Sequence, residues 1–245
     1  MRWLLVLSLL VSSGCVSQKR ISRAGSLVDL GTAYYREGNY EGAVSTLRDA
    51  TRTDPRNWRG FNALALAYIA KGQPDLAEDA FRRALKLNPD EAEILVNHGA
   101  LQLNQGKPAE AVATFRHALE DLDYRNQALA LSNLSLACLQ AGQPDDALAA
   151  AREAVRRTPL LCEGWFHAGL ALEAKGDPDG AMEAYTELIQ RCPAESVGAR
   201  LRMGCLQAQG PVPELGIRTL EAVVSEVPGT ALADQARSCI AGARR

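Results

Sequence analysis

Hydrophobic and polar positions along the chain follow a helical pattern that recurs about every 34 residues. Each copy predicts two amphipathic helices separated by a short turn that usually contains glycine. A small residue occupies the same position in every copy: Gly31, Ala65, Gly99, Ser135, Gly169 and Gly204. Because one helical pair cannot bury its apolar face alone, the pattern predicts a stack of pairs whose inner wall holds a partner.

The second copy carries a complete set of signature residues, namely Phe61, Leu64, Ala65, Tyr68, Gly72, Ala77, Phe81, Ala84 and Pro89. These offsets resemble those of tetratricopeptide repeats. The resemblance implies an all-α tetratricopeptide (TPR) solenoid of six helix-turn-helix repeats plus a C-terminal capping helix. The predicted repeats span 24–57, 58–91, 92–127, 128–161, 162–195 and 196–229, and the capping helix spans 230–245.

Two repeats depart from the pattern. Repeat three has Gln102 where an aromatic residue is expected, and two extra residues follow it. Repeat six fits only if one residue is inserted, and Pro211 with Pro213 marks its inter-helix turn.

The N-terminus predicts export. A basic start is followed by an apolar run from Trp3 to Val11, which is too short for a bilayer that needs about 20 residues. The stretch Val11-Ser12-Ser13-Gly14-Cys15 resembles a bacterial lipobox, although Ser12 stands where an aliphatic residue is usual. The resemblance implies a lipoprotein signal peptide at 1–14, a lipidated Cys15 and a polar tether at 15–23. Valine after Cys15 favours, by analogy, the outer membrane. The alternative is an ordinary secretory signal with an incidental cysteine.

Export would place the remaining cysteines in an oxidising compartment, where disulfides form. Cys162 and Cys192 flank the antiparallel helices of repeat five, so a disulfide between them is plausible. Cys205 and Cys239 are one period apart on neighbouring helices. They are the second candidate pair, which requires the last helix to shift, because equivalent Cα atoms on neighbouring repeats can otherwise be too far apart. Cys138 is expected to be a buried free thiol.

The sequence predicts neither an enzyme nor a cofactor or metal site. His98, His117 and His167 lie within the helical register without a triad partner, and neither a phosphate-binding loop nor a metal-ligand spacing occurs. Lys plus Arg numbers 27 against 29 Asp plus Glu, a net charge of −2 that argues against nucleic acid as a partner.

The inner wall is predicted from the second, fifth, ninth and twelfth positions of the first helix in each repeat. These positions are largely apolar, and a contiguous apolar patch usually marks a partner site. Packing against neighbouring helices is the alternative use of each side chain. The predicted groove residues are Val28, Tyr35, Leu66, Ile69, Val96, Leu103, Leu129, Leu136, Leu139, Phe166, Leu170 and Leu201.

A lipobox, six repeats, a short extension at residues 122–127 and a terminal helix together resemble the pilotins of type IV pilus secretins, the Tgl/PilF/PilW lipoproteins. The cysteine content and repeat match are most similar to the Tgl-type members of gliding bacteria. The resemblance implies a monomer anchored by lipid to the periplasmic face of the outer membrane, which holds secretin subunits until their ring assembles. A general periplasmic scaffold for cell-envelope complexes and an accessory subunit of an enzyme are the alternatives.

Overall fold

A computed structural model describes the backbone of residues 2–244 and the side chains of residues 18–244. Within this range the chain is all-helical, with thirteen α-helices, one short 3-10 helix and no β-strand. The helices are α1 (Arg2–Arg36), α2 (Tyr40–Thr53), α3 (Trp58–Ala70), α4 (Pro74–Leu87), α5 (Ala92–Asn104), α6 (Pro108–Ala118), α7 (Gln127–Gln140), α8 (Pro144–Arg157), α9 (Cys162–Ala174), α10 (Pro178–Arg191), the 3-10 helix (Pro193–Glu195), α11 (Val197–Ala208), α12 (Pro213–Glu226) and α13 (Ala231–Ala243).

Helix bounds follow the predicted repeats. Helices α3, α5 and α9 begin at Trp58, Ala92 and Cys162, the residues at which repeats two, three and five are predicted to start. The predicted capping helix is α13. The all-α solenoid of helical hairpins predicted from the period is therefore confirmed.

Glycines shape the turns between the two helices of a hairpin. In five turns of the described chain a glycine adopts φ between 67° and 76°, a conformation that side chains with a Cβ atom avoid. These residues are Gly38, Gly72, Gly106, Gly142 and Gly176. Because a proline begins helices α4, α8 and α10, its fixed φ sets the direction of the second helix.

Small residues on the first helix of a hairpin admit large ones from the second. A Cβ atom added to Gly169 would lie 2.3 Å from Cε1 of Tyr185, whose side chain is completely buried. At the equivalent place in repeat one, a Cβ atom on Gly31 would lie 2.5 Å from Cγ of Leu47. The predicted packing role of the small positions is therefore confirmed at these two sites.

The chain divides into two compact units, Met1–Lys107 and Pro108–Arg245, a division that the repeat pattern alone does not indicate. The core of the first unit includes Phe61, Phe81 and Ile94. The C-terminal end of the second unit has its own cluster, in which Leu220 and Ile240 pack together.

Helix α1 runs from Arg2 to Arg36 without a break at residue 24, where the sequence predicts the first repeat to begin. The predicted signal peptide and tether are thus continuous in backbone structure with the first repeat. The side chain of Cys15 lies outside the described residues, so its lipidation stays a prediction. Among the described residues, no helix is both long and apolar enough to cross a membrane.

Candidate partner-binding surface

In the first unit, most predicted groove positions are partly open to solvent. Half-buried side chains pack against the core and keep one side exposed at Val28, Tyr35, Leu66 and Ile69. Leu103 is also half-buried. These residues can therefore serve both uses foreseen for them, packing between helices and contact with a partner.

Val96 is buried, with 5% of its surface exposed, so the prediction that it contributes to the groove is wrong. Two residues close to it on α5 take part in hydrogen bonds to α3. Asn62 Nδ2 of α3 donates to Glu93 Oε1 at 3.1 Å, and Asn97 Nδ2 donates to Asn62 Oδ1 at 3.2 Å. Glu93 and Asn97 thus both link α5 to α3 on the side of α5 that carries Val96.

The second unit offers a more open apolar face. Leu129 is 45% exposed, and Leu136, Leu139, Phe166 and Leu170 are half-buried. These side chains come from α7 and α9, which pack against each other. They form the strongest candidate for an apolar contact site, and we call the set the α7/α9 face.

Leu201 is only 2% exposed, so its assignment to the groove is also wrong. The leucine belongs to the cluster that contains Leu220 and Ile240, and α13 packs against α11 and α12 at this place. The capping helix thus contributes to the burial of Leu201.

A cavity of about 370 Å³ lies at one end of the α7/α9 face. It is lined by Cys162, Glu163, Phe166, Leu188, Glu195 and Gly198. The ring centroid of Phe166 lies 5.9 Å from that of Tyr185, so the two aromatic rings pack against each other. This end of the face therefore combines an aromatic wall with two exposed carboxylates.

Two buried polar side chains link α7 and α9. The pattern of apolar positions in the sequence did not predict this contact. Ser132 Oγ lies 3.1 Å from His167 Nδ1, and the residues are 1% and 8% exposed. Burial lowers the pKa of His167 below its usual 6.5. Because this serine and histidine are closed off from solvent, their contact positions helices and offers no access to a substrate.

A second polar cluster joins α9, α10 and α11. Tyr185 donates a hydrogen bond to Glu173 Oε1 at 2.5 Å, and the guanidinium of Arg202 bonds to both carboxylate oxygens of Glu173. Burial, followed by the hydrogen bond to Glu173, raises the pKa of Tyr185 above its usual 10. The tyrosine therefore stays a neutral donor, and the cluster fixes the distance between repeats five and six.

Both predicted cysteine pairs form disulfides in the structure. The Cα atoms are 6.1 Å apart in Cys162–Cys192 and 5.5 Å apart in Cys205–Cys239. The second pair forms because Ala233 and Ala236 are fully buried and let α13 approach the preceding hairpin closely, which is the shift that this pair was predicted to require.

The free thiol of Cys138 is completely buried, as predicted. A carboxylate oxygen of Glu195 lies within 4.8 Å of both sulfurs of the Cys162–Cys192 pair. Because metals bind cysteine as thiolate, these oxidised sulfurs give a metal ion no thiolate ligand.

Comparison with known proteins identifies the repeat type. A family model described as tetratricopeptide repeat matches residues 28–92, 62–126, 96–161 and 133–196, which together span more than half of the chain. Type IV pilus assembly protein PilF of Pseudomonas aeruginosa is 32% identical over 120 residues. The match covers 49% of this chain and 48% of PilF, so it spans about half of that relative's length.

Two solved structures share the fold over most of the chain. PilW, a type IV pilus biogenesis factor, superposes with a TM-score of 0.80 at 22% identity, covering 86% of this chain and 96% of PilW. Pseudomonas aeruginosa PilF superposes with a TM-score of 0.78 at 22% identity, covering 90% of this chain and 99% of PilF.

Proposed function

The chain belongs to the tetratricopeptide repeat family, and on that premise we propose that it is a pilotin, an outer-membrane lipoprotein that assists assembly of the type IV pilus secretin. The observation that carries the proposal is the sequence match to PilF, whose name places that protein in pilus assembly. The similarity to Tgl-type members inferred from the sequence belongs to the same proposal.

The α7/α9 face gives the proposal a mechanism. In this proposal a secretin subunit exposes an apolar segment until it joins its ring, and Leu129 with Leu136 covers that segment. Burying one large apolar side chain contributes roughly 1.5–3 kcal/mol, so two or three contacts are enough to hold a segment and still release it.

The anchor is the second part of the proposal. Lipid on Cys15 would hold the protein at the periplasmic face of the outer membrane, where the secretin ring forms. We expect Cys15→Ala to block signal processing and to move the protein out of the outer-membrane fraction. Unchanged mobility and fractionation of this variant would reject lipidation.

The decisive experiment tests the α7/α9 face in the cells that naturally make the protein, by following heat-resistant secretin multimers. We expect deletion of the gene to remove the multimers on an immunoblot. The double variant Leu129→Lys, Leu136→Lys should do the same, because two ammonium groups oppose burial of an apolar segment.

The matched control is Leu122→Lys, since Leu122 lies in the loop after α6 and is 83% exposed. This variant should assemble multimers normally. Circular dichroism must give the same helix content for all variants. If deletion leaves the multimers intact, the pilotin role is wrong and a general envelope scaffold becomes the better account. If deletion removes them but a folded double variant does not, the secretin binds elsewhere.

A further inference from the structure

The inter-helix turn of repeat six differs from the other hairpin turns in the described chain. Gly210 does not adopt positive φ, and one extra residue precedes α12. The residue before the second helix is polar in four other hairpins, at Asn39, Gln73, Gln143 and Asp177. In repeat six this position is Val212.

Val212 is an unfavourable choice for the fold itself. A residue at this helix position normally supplies a side-chain acceptor to the first backbone N–H groups, which an aliphatic side chain cannot do. The side chain is also 60% exposed, and Leu215 in the first turn of α12 is 46% exposed. Two neighbouring aliphatic side chains thus face solvent at a place where the repeat pattern needs neither.

These two residues line a cavity of about 550 Å³, with Met182 and Leu206 as further walls. The charged lining residue of this cavity is Asp179. Its apolar walls suit a large aliphatic or aromatic side chain.

A second cavity, of about 790 Å³, adjoins the first, because Met182 and Asp179 line both. Its charged lining is dominated by carboxylates, those of Asp177, Asp179, Glu183 and Glu187, against the single guanidinium of Arg152. Among the described residues, Asp179 and Glu183 have no ion-pair partner within 4.0 Å. The two cavities therefore place an apolar site directly beside an acidic one.

We propose that these adjoining cavities form a second protein-binding surface, which takes a basic amphipathic polypeptide segment. Such a segment would insert one large apolar side chain between Met182, Val212 and Leu215. A lysine or arginine one turn away would then reach Glu183 and Asp179. The negative charge disfavours an anionic lipid surface as the occupant and gives a basic segment a favourable encounter. This surface is built from helices α8 to α12, and none of its lining residues belongs to the α7/α9 face.

Methyl NMR of Met182 provides a direct readout, since the chain has 3 methionines. The full chain, labelled with ¹³C at methionine methyl groups, is titrated with a synthetic 12-residue peptide in which leucine and tryptophan recur every three or four positions among lysines, so that a helix has one apolar and one basic face. The control peptide has glutamate in place of each lysine. We expect a saturable shift of the Met182 methyl signal with the basic peptide and at least tenfold weaker binding of the acidic one.

Two variants test the two cavities separately. Leu215→Lys charges the apolar cavity and Glu183→Lys reverses charge in the acidic one, and each should weaken the basic peptide at least tenfold. Leu122→Lys adds the same charge to an exposed leucine away from the cavities and should change binding less than twofold. Equal binding of both peptides, no saturable Met182 shift, or wild-type affinity in folded Leu215→Lys would each overturn the proposal.

Discussion

The disulfide between Cys205 and Cys239 should control the stability of the capping helix, and the double variant Cys205→Ser, Cys239→Ser tests this. Helix α13 buries few large side chains: Ile240 is 9% exposed, and the other buried residues on the helix are Ala233 and Ala236. Its attachment to the rest of the second unit therefore depends strongly on the cross-link.

The size of the effect follows from loop closure. If α13 alone opens, the disulfide closes a loop from the end of α12 to Cys239, and for a loop of about 13 residues the chain-entropy model gives about 3 kcal/mol. Since 1.4 kcal/mol corresponds to a factor of ten, removing the bridge should raise the opening equilibrium of α13 by about 10²-fold.

Hydrogen–deuterium exchange read by mass spectrometry measures this opening helix by helix. Peptides from α13 should exchange about 10²-fold faster in the double variant, while peptides from α7 and α8 keep their wild-type rates. The matched control is Cys162→Ser, Cys192→Ser, which removes the other bridge and should leave α13 unchanged. Unaltered exchange of α13 without Cys205–Cys239 would refute the reasoning, because side-chain packing alone would then hold the helix.

Three further predictions concern single sites. Gly169→Ala should destabilise the fold by about 1–3 kcal/mol, because its Cβ atom would collide with Tyr185, whereas Gly25→Ala, with no atom within 4 Å, should be neutral or stabilising; urea denaturation compares the two. His167 should make the free energy of unfolding fall as pH drops below about 6.5, because burial lowers its pKa in the folded state and the unfolded chain then binds more protons. Denaturation curves of His167→Gln should lack this part of the pH dependence. An unchanged pH profile in the variant would contradict the prediction. Gln102→Leu should raise the unfolding free energy by about 1 kcal/mol, because Gln102 Oε1 is buried without a hydrogen-bond partner; a lower denaturation midpoint would show that the amide is needed.

The helices were predictable because each small or large residue has a fixed partner within its own hairpin. Gly169 faces Tyr185 sixteen positions later, and both residues lie within one repeat, so the period is enough to pair them. The burial of Leu201 was not predictable in this way. Its burial depends on α13, whose close approach is set by alanines rather than by a signature residue.

The hydrogen bonds between neighbouring repeats could not be predicted from the repeat pattern either. Asn62 and Ser132 occupy positions where the sequence shows only a small or polar residue, and their partners Glu93 and His167 lie 31 and 35 residues further along the chain. These pairs become evident only when the two neighbouring repeats are packed against each other in the structure. Lipidation of Cys15 and the identity of the partner remain predictions, since the first depends on processing and the second on a molecule outside the chain.

The burial of Cys138 has a consequence for the order of oxidative folding. During synthesis from the N-terminus this thiol precedes Cys162, Cys192, Cys205 and Cys239, so an unfolded repeat four would offer it as a competing nucleophile for every later cysteine. Burial raises the pKa of the Cys138 thiol and closes it off from disulfide exchange. If repeat four folds before the later repeats, four accessible thiols remain, with three possible pairings instead of the fifteen open to five thiols. Burial of Cys138 would then protect the formation of the two native bridges.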